Sequence, residues 1–307
     1  MSPCLMKKFI YNLSLFCLIL LVINSLLYLA YKDLYLDEYI KTPDGFKSYI
    51  LSDSHGLPID AYAEEFGIYN FSAGSDSYID MKRKLNYLIK RQKVDTVFIQ
   101  IEGQVLSNFR EHSNNADRSI YYTSLNDYKS TFKYIKEAYI KYYIIFLNPK
   151  SQSLFNYYIM SKIYSLLGQN NKRNNTDWKA LSNKKKEELA LARAEQFYSS
   201  ELSKSHKEAF ENIIDICKTN NIELIGIKFP LPDEYLDVLS NPINHVIYNR
   251  FQRADSILLS YNLKVINFEK AFKGKNHLFQ DEDHLSTDGG RLLADSLKTL
   301  IRDKKVK

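Results

Sequence analysis

Ser54 stands just past an apolar run in Tyr49-Ile50-Leu51-Ser52-Asp53-Ser54-His55-Gly56, and far downstream the chain reads Asp281-Glu282-Asp283-His284-Leu285-Ser286 before its last helical stretch. A hydroxyl is a weak nucleophile until a base takes its proton, and that base needs an acid to hold its tautomer and stabilise the imidazolium that forms. Asp281 and His284 suit one short turn that sets the carboxylate against the ring. The pattern therefore points to Ser54 as nucleophile, His284 as base and Asp281 as its orienting acid. Asp283, beside the histidine, is expected to tolerate Asn much better. The bland readings are a Ser-Asp-Ser turn in which Asp53 caps the next helix, and an Asp-x-x-His made of loop and cap residues.

Positioning such groups requires a scaffold. Apolar runs alternate with helical stretches: a strand at 48–51, a helix at 58–66, a strand at 68–71, an amphipathic helix at 79–91 and a buried strand at 96–101. From about 105 to 205 the rhythm is lost and the chain turns Tyr-rich and helical, with Pro149 and the polar stretch 169–176 as breaks, which reads as a large helical insertion. A helix over 184–220 then leads to a strand at 222–229, a helix around 245–259, a strand at 264–268 and a final helix over 288–301. This alternation implies βαβ units and a parallel sheet, with Ser54 at the carboxyl edge where ligands bind in such sheets.

With these blocks in place the sequence resembles the SGNH/GDSL hydrolase superfamily, whose members carry a nucleophilic serine in a Gly-Asp-Ser block after the first strand and an Asp-x-x-His block before the last helix. Ser52-Asp53-Ser54 and Asp281-Glu282-Asp283-His284 are similar to those blocks, and Asn70-Phe71-Ser72-Ala73-Gly74-Ser75 is similar to the block with the oxyanion glycine. The resemblance covers about 47–105 and 220–303. It implies a flavodoxin-like α/β/α three-layer sandwich with a parallel sheet, and an oxyanion hole built from the backbone N–H groups of Ser54 and Gly74. Two departures stand out: Ser52 replaces the first glycine, and Gln100-Ile101-Glu102-Gly103-Gln104 stands where the family has Gly-x-Asn-Asp. Gln104, through its amide, is the substitute third donor, since the Glu102 carboxylate would oppose an oxyanion.

His55 supports a different chemistry. Asp53-x-His55-Gly56 also resembles the first metal block of calcineurin-like phosphoesterases, but Asn244-His245 and Asn276-His277 lack the following acid, and no Gly-Asp pair or His-x-His follows. The expectation is a helix-flanking His55 that is not a ligand, and neither metal nor cofactor. The tyrosines of the insertion, among them Tyr121, Tyr122, Tyr128, Tyr134, Tyr139, Tyr142, Tyr143, Tyr157, Tyr158 and Tyr164, suit sugar rings, membrane interfaces or packing alike. Lys82, Arg83 and Lys84 read as a solvated face, and Trp178 has no assigned role.

Residues 9–31 are apolar except for Asn12, Ser14, Asn24 and Ser25, long enough to cover a hydrocarbon core of about 30 Å. The stretch exceeds the core of a cleaved signal and ends in Tyr28-Leu29-Ala30-Tyr31-Lys32 without a cut site, so an uncleaved anchor is expected. Residues 1–31 are then a cytoplasmic tail and transmembrane helix, 32–46 a connector and 47–303 the α/β domain. Lys7 and Lys8 before the span place that domain on the extracytoplasmic side of a single-pass protein. Cys217 is the only thiol beyond the span, which excludes an internal disulfide there, and the net charge of +6 is spread without an Arg-aromatic groove for nucleic acid. Membrane-anchored members of the resembled superfamily commonly move or remove acetyl groups on envelope polysaccharide. The resemblance thus implies an O-acetyltransferase or O-acetylesterase, with a carbohydrate acceptor or acylated glycan and a membrane acyl-donor protein as partners. The competing class is a glycan-binding or scaffold subunit that kept the fold and lost efficient chemistry.

Overall fold

The computed structural model describes residues 3–142, 144–148, 150, 151, 156, 163 and 178–305. Pro149, the polar stretch 169–176 and Tyr143, Tyr157, Tyr158 and Tyr164 lie outside the described residues. Two compact units are present, one of residues 42–122 and 174–307 and the other of residues 1–41 and 123–173.

The first unit is α/β. Its strands β1 (Ser48–Leu51), β2 (Ile68–Asn70), β3 (Thr96–Gln100), β4 (Glu223–Lys228) and β5 (Lys264–Asn267) form one sheet in the order β2-β1-β3-β4-β5. All four pairings are parallel, with Ile50 opposite both Asn70 and Phe98, and Phe98 opposite Ile225. This is the flavodoxin-like order, in which the chain first winds to one side of β1 and then to the other, opening a crevice at the strands' carboxyl ends between β1 and β3. Ile50, Phe98, Ile225 and Ile227 point to one face and join Leu293, Ala294 and Leu297 of the final helix in a single core. Each fully buried Leu or Ile there contributes roughly 1.5–3 kcal/mol. Trp178, unassigned from sequence, belongs to this core.

The alternate residues Tyr49, Leu51, Val97 and Ile99 point the other way and are equally buried. Call the N-terminal helix Pro3–Tyr31 α1, followed by α2 (Tyr78–Arg91), α3 (Asn183–Tyr198), α4 (Lys204–Thr219), α5 (Asp233–Ser240), α6 (His245–Leu259) and α7 (Thr287–Lys305). Helices α2 and α4 pack together on the second face, with the rings of Tyr78 and Phe210 4.6 Å apart. The start of α2 is fixed by Ser77, whose N–H and hydroxyl both donate to Asp80 Oδ2 at 2.9 and 2.7 Å. Lys84 is not on a solvated face: only 1% exposed, its Nζ donates to the Phe71 carbonyl at 2.7 Å and to Asp76 at 2.6 Å. It lies on the same stripe as the buried Met81, Leu85 and Leu88.

Two further expectations change. The stretch 58–66 is a series of short helical turns, Ser54–Ile59, Asp60–Ala63 and Glu64–Phe66, with Pro58 inside the first. The helix expected over 184–220 is two, α3 and α4. Between them Leu202 forms an antiparallel bridge with Ser107, the Ser203 N–H donates to the Leu106 carbonyl at 2.7 Å, and the Ser203 hydroxyl caps α4. Residues 105–122 and 178–205 are thereby part of the α/β unit, and of the expected insertion only 123–173 falls outside it.

In the second unit α1 carries a stretch, Cys4–Tyr31, of 28 residues with mean hydropathy 2.5, long and apolar enough to cross a membrane, and none of its most apolar window is buried. It continues into a π-helical turn, Lys32–Leu36. The described part of 123–151 consists of short turns, among them Thr131–Tyr134, Ile135–Ile140 and Ile145–Leu147.

Candidate active site

The carboxyl end of β1 is tied to that of β3. The Ser52 hydroxyl and the Asp53 N–H both donate to Gln100 Oε1, at 3.1 and 2.9 Å. Asp53 is fully buried. Its Oδ1 accepts the His55 N–H at 3.0 Å, and its Oδ2 pairs with Arg110. Burial opposes its charge, but the cations of His55 and Arg110 prevail and hold its carboxyl below the usual range. Asp53 is thus the cap foreseen for the turn Ser54–Ile59, and it leaves Ser54 at the tip. From below, Asn70 Nδ2 donates to the Gly56 carbonyl at 2.7 Å. Gly290 in the first turn of α7 approaches the same turn so closely that a Cβ would lie 2.0 Å from the Pro58 carbonyl oxygen.

The partner loop follows β5. Phe279 and Leu285 bridge antiparallel, the Gln280 N–H donates to the His284 carbonyl at 2.9 Å, and the Ser286 N–H donates to Leu278 at 2.8 Å. Within this closed loop Asp281 Oδ1 accepts the N–H groups of Asp283 (3.1 Å) and His284 (2.8 Å) and lies 2.8 Å from His284 Nδ1. The opposite ring nitrogen, Nε2, is 2.7 Å from Ser54 Oγ. Ser54, His284 and Asp281 therefore form one hydrogen-bonded chain. With the ring neutral, Nδ1–H donates to Asp281, the hydroxyl donates to Nε2, and a proton can pass from Ser54 to the ring as a bond forms at Oγ.

A second carboxylate reaches the same ring. Asp283 is only 2% exposed; its Oδ1 lies 3.0 Å from His284 Nδ1, and its Oδ2 accepts from Arg193 Nε at 2.6 Å and lies 3.3 Å from His55 Nε2. Asp283, expected to tolerate Asn much better than Asp281, turns its side chain inward onto His284, His55 and Arg193. Burial pushes the His284 pKa down, but Asp283, with Asp281 bonded at Nδ1, outweighs it and raises the ring to about 9. For Asp283, burial is likewise opposed, chiefly by His284 and His55, and its carboxyl is held well below the ordinary range.

His55 lies in the turn Ser54–Ile59, next to its cap Asp53, and also belongs to a buried polar network. It is buried, with Nδ1 2.7 Å from Glu102 Oε2, and its ring stands edge-on to His284 at 5.2 Å between centroids. Burial disfavours its charge, yet Glu102, Asp53 and Asp283 together raise its pKa well above the ordinary value. Glu102 points inward, accepting from Gln100 Nε2 at 2.7 Å and the Phe229 N–H at 2.6 Å. Gln104 Nε2 donates to Glu102 at 3.2 Å and lies 3.1 Å from His55 Nε2. The Gln104 amide is thus drawn to Glu102 within this buried network, and not toward an oxyanion as expected.

Gly74 sits beside the nucleophile turn, since the Ala73 N–H donates to the Ser52 carbonyl at 3.3 Å. Its own carbonyl accepts from Asn115 Nδ2 at 2.8 Å, and Asn115 also donates to Asp76 at 2.6 Å. Among the described residues no acceptor engages the N–H of Ser54 or of Gly74. Asn115, Arg110 and Arg193 were not foreseen. They fall in the stretch where the strand rhythm disappears, and nothing local distinguishes them from surface polar residues.

His55, Asp283 and His284 offer ligand atoms within 4.8 Å of one another, a spacing a metal ion could use. The donor set suits one poorly. Both nitrogens of His284 are taken by Ser54 and Asp281, and the carboxylates around His55 favour its protonated form, which has no lone pair to give.

No family model and no curated protein matches the chain. Among solved structures it is similar to a lipase/acylhydrolase from Enterococcus faecalis, with 14% identity, 84% of this chain and 97% of that one covered, and a TM-score of 0.39. It is also similar to a GDSL-like lipase from Bacteroides thetaiotaomicron, with 8% identity, 90% and 98% covered and a TM-score of 0.39. An acetyl xylan esterase matches with 12% identity over 83% and 99% of the two chains, at a TM-score of 0.38.

Proposed function

We propose that this chain carries out serine-dependent acyl-ester chemistry of the SGNH/GDSL kind, with Ser54 as nucleophile. The observation that carries the reading is the chain Ser54 Oγ–His284 Nε2 at 2.7 Å and His284 Nδ1–Asp281 at 2.8 Å, set at the carboxyl edge of a flavodoxin-ordered parallel sheet. Ser54 Oγ attacks the acyl carbonyl while its proton passes to Nε2. The negative charge on the carbonyl oxygen is met by the N–H groups of Ser54 and Gly74, each worth about 3–4 kcal/mol in such sites. As the tetrahedral species collapses, Nε2 returns the proton to the leaving alcohol and an acyl-Ser54 ester remains. A second hydroxyl group, of water or of a sugar, then gives its proton to Nε2 and attacks that ester; as the Oγ–acyl bond breaks, Nε2 returns the proton to Ser54 Oγ and the acyl group leaves on the acceptor. Asp281 keeps Nδ1 protonated throughout, and Asp283 adds charge against the imidazolium.

The substrate class follows from the placement we infer: α1 anchors the chain in a membrane with the α/β unit on the extracytoplasmic side, and the acyl ester belongs to envelope polysaccharide. Acceptor choice separates transferase from esterase. The full chain, purified in detergent, is given a chromogenic acetyl ester with and without deacetylated polysaccharide, and both free acetate and polymer-bound acetyl are measured. Turnover abolished by Ser54→Ala supports the reading, and its division between the two products identifies the acceptor. Turnover unchanged in Ser54→Ala overturns it.

A further inference from the structure

Helix α1 is longer than a bilayer requires. Its 28-residue apolar stretch Cys4–Tyr31 is about 42 Å long, against a hydrocarbon core of about 30 Å, or about 20 residues. With Lys7 and Lys8 at one headgroup layer, the hydrocarbon runs from Phe9 to about Tyr28. Tyr28, Tyr31 and Tyr35 then come at the opposite layer, where aromatic side chains gather. Asn24 lies about 6 Å beneath that boundary. A side-chain amide at such depth is costly unless bonded. Asn24 Oδ1 accepts the backbone N–H of Ile145 at 2.9 Å. Seven positions further along α1, the Tyr31 hydroxyl accepts from Asn148 Nδ2 at 3.4 Å. The stretch around Ile145 thus runs beside the end of α1, from just inside the hydrocarbon to headgroup level.

The composition of this stretch fits the same place. Ile145 is buried, whereas Phe132 (74%), Leu147 (58%), Ile135, Ile140 and Ile144 are exposed. Interleaved with them are Lys129, Lys133, Lys136 and Lys141, all exposed, against one acid, Glu137. Exposed apolar side chains alternating with long basic ones are what a segment lying in a membrane interface presents, with apolar parts sunk about 5–10 Å and ammonium groups reaching the phosphates.

We propose that the described residues of 131–148 lie in the interfacial layer of the bilayer leaflet opposite Lys7 and Lys8, packed against α1, with phospholipid as the partner of their apolar and basic side chains. The proposal rests on α1 being a membrane span. It makes the attachment two-part, one helix through the bilayer and one segment in its surface.

The test uses the full chain with Cys4→Ser and Cys17→Ala and a single added cysteine at Leu147, Phe132 or Leu18, labelled with a polarity-sensitive fluorophore. Cys217 is buried, and burial pushes its thiol up to about 12, so it stays unlabelled. The protein is placed in vesicles of phosphatidylcholine and phosphatidylglycerol whose acyl chains carry bromine either near the headgroup or near the bilayer centre. Probes at 147 and 132 should show blue-shifted emission and lose it chiefly to the shallow bromines, and the probe at 18 chiefly to the deep ones. If the probe at 18 is quenched while those at 147 and 132 are indifferent to both lipids, the span stands and the interfacial segment is refuted. If the probe at 18 is also unaffected and the protein stays behind when vesicles float, the span itself is wrong and the proposal falls with it.

Discussion

Replacing Asp283 by Asn removes one of the two carboxylates at His284 Nδ1 while keeping its shape. Wild-type His284 sits at about 9, displaced from 6.5 despite burial, with Asp283 the strongest upward influence, Asp281 next and the charge of His55 pulling the other way. That net displacement corresponds to about 3 kcal/mol. A unit charge at the observed 3.0 Å is worth about 5 kcal/mol at an effective dielectric of about 20. The Asp283 charge is therefore larger than the net displacement, and its loss should return the ring to about its ordinary 6.5 or below. Because only the neutral ring accepts the serine proton, kcat/KM of the wild type should climb through about pH 9, and in Asp283→Asn this limb should move down by about two units or more. Asp281→Asn differs: the in-line acceptor and the tautomer are lost, so turnover should fall on the order of 10^4-fold across the whole range. The assay is the pH profile of chromogenic ester hydrolysis from about pH 5 to pH 10. Near-ultraviolet circular dichroism checks folding, since Arg193 and His55 lose a buried partner at a cost of about 3–5 kcal/mol. An unmoved limb in Asp283→Asn, or a plateau that collapses as in Asp281→Asn, would refute the division of labour.

Ser54→Ala and His284→Ala should each remove nearly all turnover, and the double variant should lose little more, because a nucleophile without its base leaves the same residual catalysis; additive losses would contradict the triad. A folded-state pKa raised from 6.5 to about 9 gives stability that is fully present below about pH 6.5 and lost as pH rises through about 9. Thermal melting should therefore show a decline over that window that is shallower in His284→Gln, and an identical slope would count against the raised pKa. Lys84→Met strands the buried Asp76, which burial already lifts to about 6 despite Lys84, and should cost about 3–5 kcal/mol in urea unfolding. Adding Asp76→Leu should recover much of that loss, and a single variant as stable as wild type would show the pair to be inert.

Ser54, Asp281 and His284 were legible because a hydroxyl after a strand and an acid three residues before a histidine are local patterns, and the alternation of strands and helices set their order along one sheet edge. The network behind them was not. Whether Asp283 faces solvent or His55 depends on how the loop after β5 closes on the turn after β1, 228 positions away in sequence. Lys84 illustrates the same limit: Lys82-Arg83-Lys84 reads as a charged surface, yet the third residue shares the apolar stripe of α2 and finds Asp76 only once the sheet is built. The break between α3 and α4 did have a local sign, Ser203 capping the His206 N–H, but a run of helix-forming residues on either side outweighed it. Leu202 is held out of the helix by Ser107, a partner in a stretch that carried no strand signal.

The central claim is that Ser54 is activated by His284, and the most direct measurement is covalent capture by a serine-directed fluorophosphonate, with the modified peptide identified by mass spectrometry. One adduct is expected, on Ser54, forming faster as pH rises toward about 9, slowed by orders of magnitude in His284→Ala and absent in Ser54→Ala. A folded protein that is not labelled, or is labelled equally well in Ser54→Ala, would contradict it.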